Sequence, residues 1–418
     1  VLYTQKVAQE LRAKREQLTG YENHYGERLA RFRQALRSLG ERFPAANALQ
    51  SVQRALLTQP EPVPSLGATP TPEYDTWLRS EGSGIPCLPC GLQFAHHQEA
   101  RAWAECLRGT TTFAVDGSQL PPWRDASVPI ALVQAGLFEN PHQPPMPYVK
   151  DVAVEVLSPD ELLAGDDDTA DTRTGEMLSY STLVVNLRRF ELETRILIER
   201  MEHHARQKTE RVVAFYDGSL IVSFALKMAP QYRTRYVRAS QRLLAASKEY
   251  HIPLVGYIDT SYARDIVTML SRLDPTPMLQ DVHGVHDALL WRGTLGWGDR
   301  TPAFISARDD LSRMGYGEQQ ADIAFVYFQA ALDRPPARIE FPRWLLEDGR
   351  LDDVMTAVRA ESVAGNGYPY PIEAADAVAV ISAPDRAQFY ALFQDFAARE
   401  GLRFSISRKA LSKSRRRV

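Results

Sequence analysis

The chain has 418 residues, 44% hydrophobic and 24% charged, with a formal net charge of −3. Such a length exceeds one ordinary core, the composition is that of a globular protein, and near-neutrality excludes bulk positive charge as a basis for nucleic-acid binding. No apolar run approaches the roughly 18 residues of a membrane span, three cysteines argue against a disulfide framework, and the opening Val1-Leu2-Tyr3-Thr4-Gln5-Lys6 lacks a signal-like apolar stretch, so we expect a cytoplasmic protein without membrane contact.

Residues 4–44 read as a long helix or helix pair. Leu18, Tyr21, Tyr25, Leu29, Phe32, Leu36, Leu39 and Phe43 step by three, four or seven, the spacing of a coiled-coil seam. The same stripe suits an amphipathic helix docked on its own domain, and both readings stand. We expect an arm over 1–57 for dimer or partner contact, then a Pro-rich loop over 58–86. The main domain follows over 87–400, with a basic tail over 401–418 that holds Arg408, Lys409, Lys413, Arg415, Arg416 and Arg417.

Within the main domain a helix over 97–107 leads into three strand-like runs near 112–115, 128–138 and 148–157, an antiparallel meander. The acidic run at 165–171 lacks the glycine and glutamate of a calcium loop and reads as a solvated turn. A helix over 181–207, a strand over 212–216, a basic helical stretch over 220–250 and a strand over 252–258 come next. Further strands are expected at 324–328 and 337–341. A meander joined to strands through crossover helices is a mixed-sheet α/β layout with the outline of a ribonuclease H-like domain.

Asp-Gly-Ser occurs twice behind an apolar run, as Asp116-Gly117-Ser118 and Asp217-Gly218-Ser219, and a third run ends in Asp259-Thr260-Ser261. Asp-Gly is a common hairpin signal, but two copies behind strands point to carboxylates converging at a sheet edge. Converging carboxylates repel, and hard divalent ions relieve that repulsion. A pair of Mn²⁺ or Mg²⁺ ions would equip the site for phosphodiester hydrolysis. A glycine after each Asp would let the chain turn sharply and a metal or phosphate approach. A third ligand is expected on the helix before the second strand, where Glu191 and Glu193 lie level with the strand's end. They cannot share a face, and the sequence leaves the choice open. Asp259 is a fourth candidate, or else a helix N-cap. Lys227, Arg233, Arg235 and Arg238 read as a solvated basic face which, beside a nuclease centre, would carry a DNA backbone.

Three segments, Ala114-Val115-Asp116-Gly117-Ser118, Tyr216-Asp217-Gly218-Ser219-Leu220 and Gly367-Tyr368-Pro369-Tyr370-Pro371, resemble the NurA nuclease family over about residues 105–385. The resemblance implies a ribonuclease H-like fold of the kind in Argonaute's PIWI nuclease domain, a mixed sheet flanked by helices. It implies a Mn²⁺- or Mg²⁺-dependent deoxyribonuclease, a 5′–3′ exonuclease that also cuts single strands. It further implies a homodimer acting with the hexameric ATPase HerA in DNA end resection for double-strand break repair. Carried over by motif, Asp116 and Asp217 are metal ligands, one of Glu191 and Glu193 is the helix-borne ligand, and Tyr368 sits near the scissile phosphate or the strand being cut. Tyr368 also reads as a plain turn residue in a Pro/Gly loop. Where the family commonly has His, this chain has Asp376, which is either a further metal ligand or a lost role. That departure leaves a second reading open, a non-catalytic DNA- or partner-binding adaptor on the same scaffold.

Overall fold

The structure, a computed structural model, describes residues 2–42, 48–57, 66–80, 84–122, 126–163, 182–274, 277–308, 316, 322–403 and 405. Backbone contacts divide the chain into two units, residues 1–95 with 257–347 and residues 96–256 with 348–418. Strands are numbered β1 to β9, and helices of eight or more residues α1 to α11.

The second unit holds the Asp-Gly-Ser motifs. Strands β2 (Thr111–Leu120), β3 (Ala131–Asn140) and β4 (Val149–Leu157) form the antiparallel meander. Strand β5 (Val212–Asp217) pairs with β2 in parallel, and β6 (Leu254–Ile258), whose first three residues belong to this unit, lies beyond β5, giving the order β6-β5-β2-β3-β4. Here the sheet is mixed, as the alternation of hairpins and crossover helices implies.

Helix α6 (Thr182–Gln207) links β4 to β5. It buries Leu187, Phe190, Thr194, Leu197, Met201 and His204, a run of steps of three and four that makes one continuous stripe. His204 stacks on Phe113 of β2, so the odd-numbered residues of β2 face α6. On the opposite face Thr112 donates to Glu361 of α9 (Leu351–Ala364). A Cβ on Gly136 of β3 would meet the backbone nitrogen of Ala379 at 2.6 Å, so α10 (Tyr370–Ala379) packs directly on that face. Helices α5 (His97–Ala104), α7 (Pro230–Glu249) and α11 (Ala383–Arg399) complete the unit. Pro230 opens α7 at its first turn, where no backbone donor is needed.

A buried charged clamp fixes α6 to the sheet. Glu139 of β3, 4% exposed, takes Arg200 through both carboxylate oxygens and His204 Nε2 at 2.8 Å. Burial alone would raise this carboxyl, but hydrogen bonds and charge from His204 and Arg200 outweigh it and hold it down at about 2.

In the first unit β1 (Gly67–Pro70), β7 (Phe304–Ala307), β8 (Ile323–Phe328) and β9 (Ala337–Pro342) pair antiparallel in that order. Helices α1 (Thr4–Ala13), α2 (Arg15–Arg42), α3 (Ala48–Leu57), α4 (Pro72–Ser80) and α8 (Asp265–Leu273) accompany them. Their core joins Phe32, Leu36, Trp77, Trp291, Phe325 and Tyr327.

Several segments differ from the sequence expectation. Residues 66–80 lie in the stretch read as a Pro-rich loop, yet they form β1 and α4. Strand β1 finds a partner in β7 across Gly67↔Ala307 to Pro70↔Phe304, and α4 buries Tyr74, Trp77 and Leu78. Paired backbone and a buried aromatic face outweigh the turn-forming composition. The expected seam divides: Phe32, Leu36 and Leu39 are buried in the core, while Leu18 and Tyr21 are exposed. Strand β2 does not stop at Asp116. It continues to Leu120 because β3 pairs with it along its whole length. Phe43, the acidic run 165–171 and the basic side chains of the tail lie outside the described residues.

The clamp has a measurable pH signature. Glu139 ionises more readily in the folded chain than in the unfolded one. Its contribution is therefore complete above the ordinary value of 4.5 and is lost as pH falls towards about 2. Glu139→Gln is expected to cost about 2 kcal/mol of unfolding free energy at neutral pH, the shift being discounted for solvent screening. In denaturant melts across pH, the gap to wild type should stay level above 5 and narrow below 4.5.

Candidate active site

The register of β2 on β5 builds the site. The parallel pairing runs from Thr111↔Val212 to Val115↔Tyr216. Asp116 and Asp217 each follow one residue later, on strands about 4.8 Å apart. Alternation puts Val115 and Tyr216 towards α6 and both aspartates towards the opposite face. Phe190 of α6 meets the Tyr216 ring edge-on at a centroid distance of 6.4 Å, in keeping with that assignment.

Two groups reach the aspartates on their own face. Tyr368, in the turn between α9 and α10, donates its hydroxyl to Asp217 Oδ1 at 2.7 Å. Asp376 of α10 shares a side-chain hydrogen bond with Asp116. Burial pushes the Asp116 carboxyl up; the backbone N–H at Gly117 opposes this, and Asp217 and Asp376 add to it, leaving it at about 6.

Glu193 comes from the other side. It is 4% exposed on α6, and its Oε1 accepts from Arg189 Nη1 at 2.7 Å. The same guanidinium nitrogen donates to the Gly117 carbonyl at 3.0 Å. A Cβ on Gly117 would stand 2.0 Å from Glu193 Oε1 and 2.8 Å from Arg189 Cγ. The first motif glycine is therefore there to admit a carboxylate beneath the strand, not to turn the chain. The second does turn it: Gly218 has φ +125°, a conformation side chains rarely adopt. Burial drives the Glu193 carboxyl up to about 8, with Arg189 opposing and Asp116 and Asp217 adding.

Glu191 faces away from Glu193 and binds Arg235 of α7 through both oxygens, at 2.8 and 2.5 Å. Arg233 and Arg238 also lie on α7 and Lys227 on the short 3₁₀ turn before it; Arg238 and Lys227 are exposed. Asp259 follows β6 and stands 3.9 Å from Arg334 within the first unit. Sequence reasoning missed Arg189. Its one signal was a position four residues before Glu193, the spacing at which helical side chains meet.

The donor set on the α10 face is three aspartates, all hard oxygen ligands. Among the described residues no three His, Cys, Asp or Glu side chains stand close enough to grip an ion as they are placed. Hard ions such as Mg²⁺ are held by one or two carboxylates with water and phosphate filling the shell, so Asp116 and Asp217 fit that chemistry. Burial raises Asp116 first, and the repulsion that Asp217 and Asp376 add to it is the kind a cation relieves.

A mixed α/β domain with paired acids on adjacent parallel strands defines the class. The family model described as the NurA domain matches residues 110–381, and the chain belongs to the NurA family. That membership suggests a nuclease. No curated protein matches the chain. Among solved structures it is similar to NurA with manganese, at 11% identity over 69% of this chain and 89% of that one, with a TM-score of 0.38. NurA bound to dAMP and manganese gives 11% over 66% and 85%, with a TM-score of 0.31. Ciona intestinalis endonuclease V in complex with an inosine-containing 24mer DNA gives 11% over 71% and 96%, with a TM-score of 0.25. At such TM-scores the family match is what identifies the chain.

The contact under Gly117 predicts a coupled pair of substitutions. Gly117→Ala is expected to cost about 2–3 kcal/mol of stability, as overpacking does. In Glu193→Ala the obstruction is gone, so the double variant should lose clearly less than the sum in a double-mutant cycle. Additive costs would show that the two residues do not meet.

Proposed function

We propose that this chain is a metal-dependent deoxyribonuclease on a ribonuclease H-like fold, hydrolysing phosphodiesters with two Mn²⁺ or Mg²⁺ ions held by Asp116 and Asp217. What supports the reading most is the parallel register that sets these two acids side by side within a NurA-family domain. Bound there, such ions supply Lewis-acid polarisation of the phosphate and a nucleophilic water at neutral pH.

The chain's own residues have distinct tasks. Asp116 and Asp217 present oxygens from rigid strands, which limits reorganisation when substrate arrives. Tyr368 holds one oxygen of Asp217 and fixes the rotation of that carboxylate. Asp376 offers a further oxygen beside Asp116, in a position where the family commonly has a proton donor. From behind the strand, Glu193 and Arg189 fix the Gly117 backbone and so the direction in which Asp116 points. Lys227, Arg233 and Arg238 would take the phosphates of a strand, an attraction blind to sequence and weakened by salt. Arg235 is engaged by Glu191 and serves to position α7.

On the family resemblance we extend the proposal to 5′–3′ exonuclease and single-strand endonuclease activity. We likewise infer a cytoplasmic homodimer working with a HerA-type hexameric ATPase in DNA end resection.

Asp116→Asn and Asp217→Asn are each expected to lower Mn²⁺-supported DNA cleavage by on the order of 10³-fold or more, with circular dichroism and melting unchanged. EDTA should abolish wild-type cleavage. Tyr368→Phe should raise the Mn²⁺ needed for half-maximal cleavage by about 10- to 100-fold, the usual cost of losing a ligand's own hydrogen-bond partner. Full activity in both asparagine variants would refute the assignment, and a wild-type chain that binds but never cuts DNA would favour the adaptor reading.

A further inference from the structure

Helices α1 and α2 meet at Lys14, but the hydrogen-bond ladder crosses the junction: Lys14 N–H donates to Glu10 and Leu11 carbonyls, and Leu18 N–H to that of Lys14 at 3.0 Å. One apolar seam runs along both. Leu11, Leu18, Tyr25, Phe32 and Leu39 are spaced by seven, with Val7 and Tyr21 at the intervening positions of the heptad. The far end of this seam is packed, with Phe32 at 0% and Leu39 at 3% exposure in the first unit's core. Its near end is bare: Leu11 is 57% and Leu18 56% exposed, and every residue from 2 to 19 is exposed.

We propose that the bare end of this seam, residues 4–21, pairs in parallel and in register with the same segment of a second copy of the chain. Charge complementarity selects this occupant and this direction. With Leu11 and Leu18 at the a positions, Glu10 falls at g and Arg15 at e, and a parallel pair brings each Glu10 beside the other copy's Arg15. The two-fold axis makes that contact twice. An antiparallel pair that set Leu11 against Leu18 would instead bring Lys14 and Arg15 against Arg15 and Lys14, four like charges at its centre. Two positions depart from the apolar rule, Thr4 at the first a position and, at a d position, Lys14. Its long stem can cover the seam while its ammonium stays in water. The inference rests on the dimer of the proposed function and not on its chemistry.

Cross-linking the full-length chain tests it. In a Cys87→Ser/Cys90→Ser/Cys106→Ser background, Leu11→Cys should give a covalent dimer on mild oxidation. Gln9→Cys, at the outward f position, should not. Glu10→Arg should raise the dimer Kd in sedimentation by about ten-fold, and Glu10→Arg/Arg15→Glu should restore it. A dimer in which Leu11→Cys cross-links no better than Gln9→Cys, or in which the double reversal fails to recover, overturns the seam alone. A chain that sediments as a monomer overturns both seam and dimer and leaves the nuclease reading standing.

Discussion

Strand register is the constraint on which the site depends. Once Thr111 pairs with Val212 and Val115 with Tyr216, the next residue of each strand is fixed in position and in face, and both are aspartates. A slip of one residue would turn one carboxylate towards α6, into the apolar stripe around Phe190 and Leu197. The register is held by burial, because Phe113, Val115, Val213 and Phe215 are all at most 5% exposed. Hydrophobic burial thus keeps two like charges together in spite of their repulsion.

Two further buried groups keep the paired acids pointing outwards. Glu139 ties α6 to β3 through Arg200 and His204 at one end of the helix. Glu193 and Arg189 press against Gly117 further towards the other. A helix gripped at both points cannot slide along the sheet without parting Glu139 from Arg200 and His204 and Arg189 from the Gly117 carbonyl. The same elements that stabilise the unit therefore aim the site, which is why Gly117 matters structurally as well as chemically.

Much of this was legible in the sequence. The two apolar runs before Asp-Gly-Ser mark β2 and β5, and the stepping of Leu187, Phe190 and Leu197 marks α6. What the sequence hides is which face a residue takes when its strand runs on. Nothing local distinguishes Gly117, inside β2, from Gly218, at a turn, because the difference lies in β3 pairing along the first and not the second. Nor could spacing alone separate Glu191 from Glu193. The partners that do so, Arg235 in one case and Arg189 with the Gly117 carbonyl in the other, are set by tertiary packing. In the first unit, Pro and Gly around residues 60–72 masked β1 and α4, whose order depends on β7, far away in sequence.

The whole mechanism requires one or more cations to lodge where the strand ends bring carboxyl oxygens together. A crystal of the full chain soaked in Mn²⁺ and measured at the manganese absorption edge tests this most directly. An anomalous peak ligated by both Asp116 and Asp217 is the predicted result. Their carboxylates pointing apart, with manganese absent from between them at saturating concentration, would contradict it.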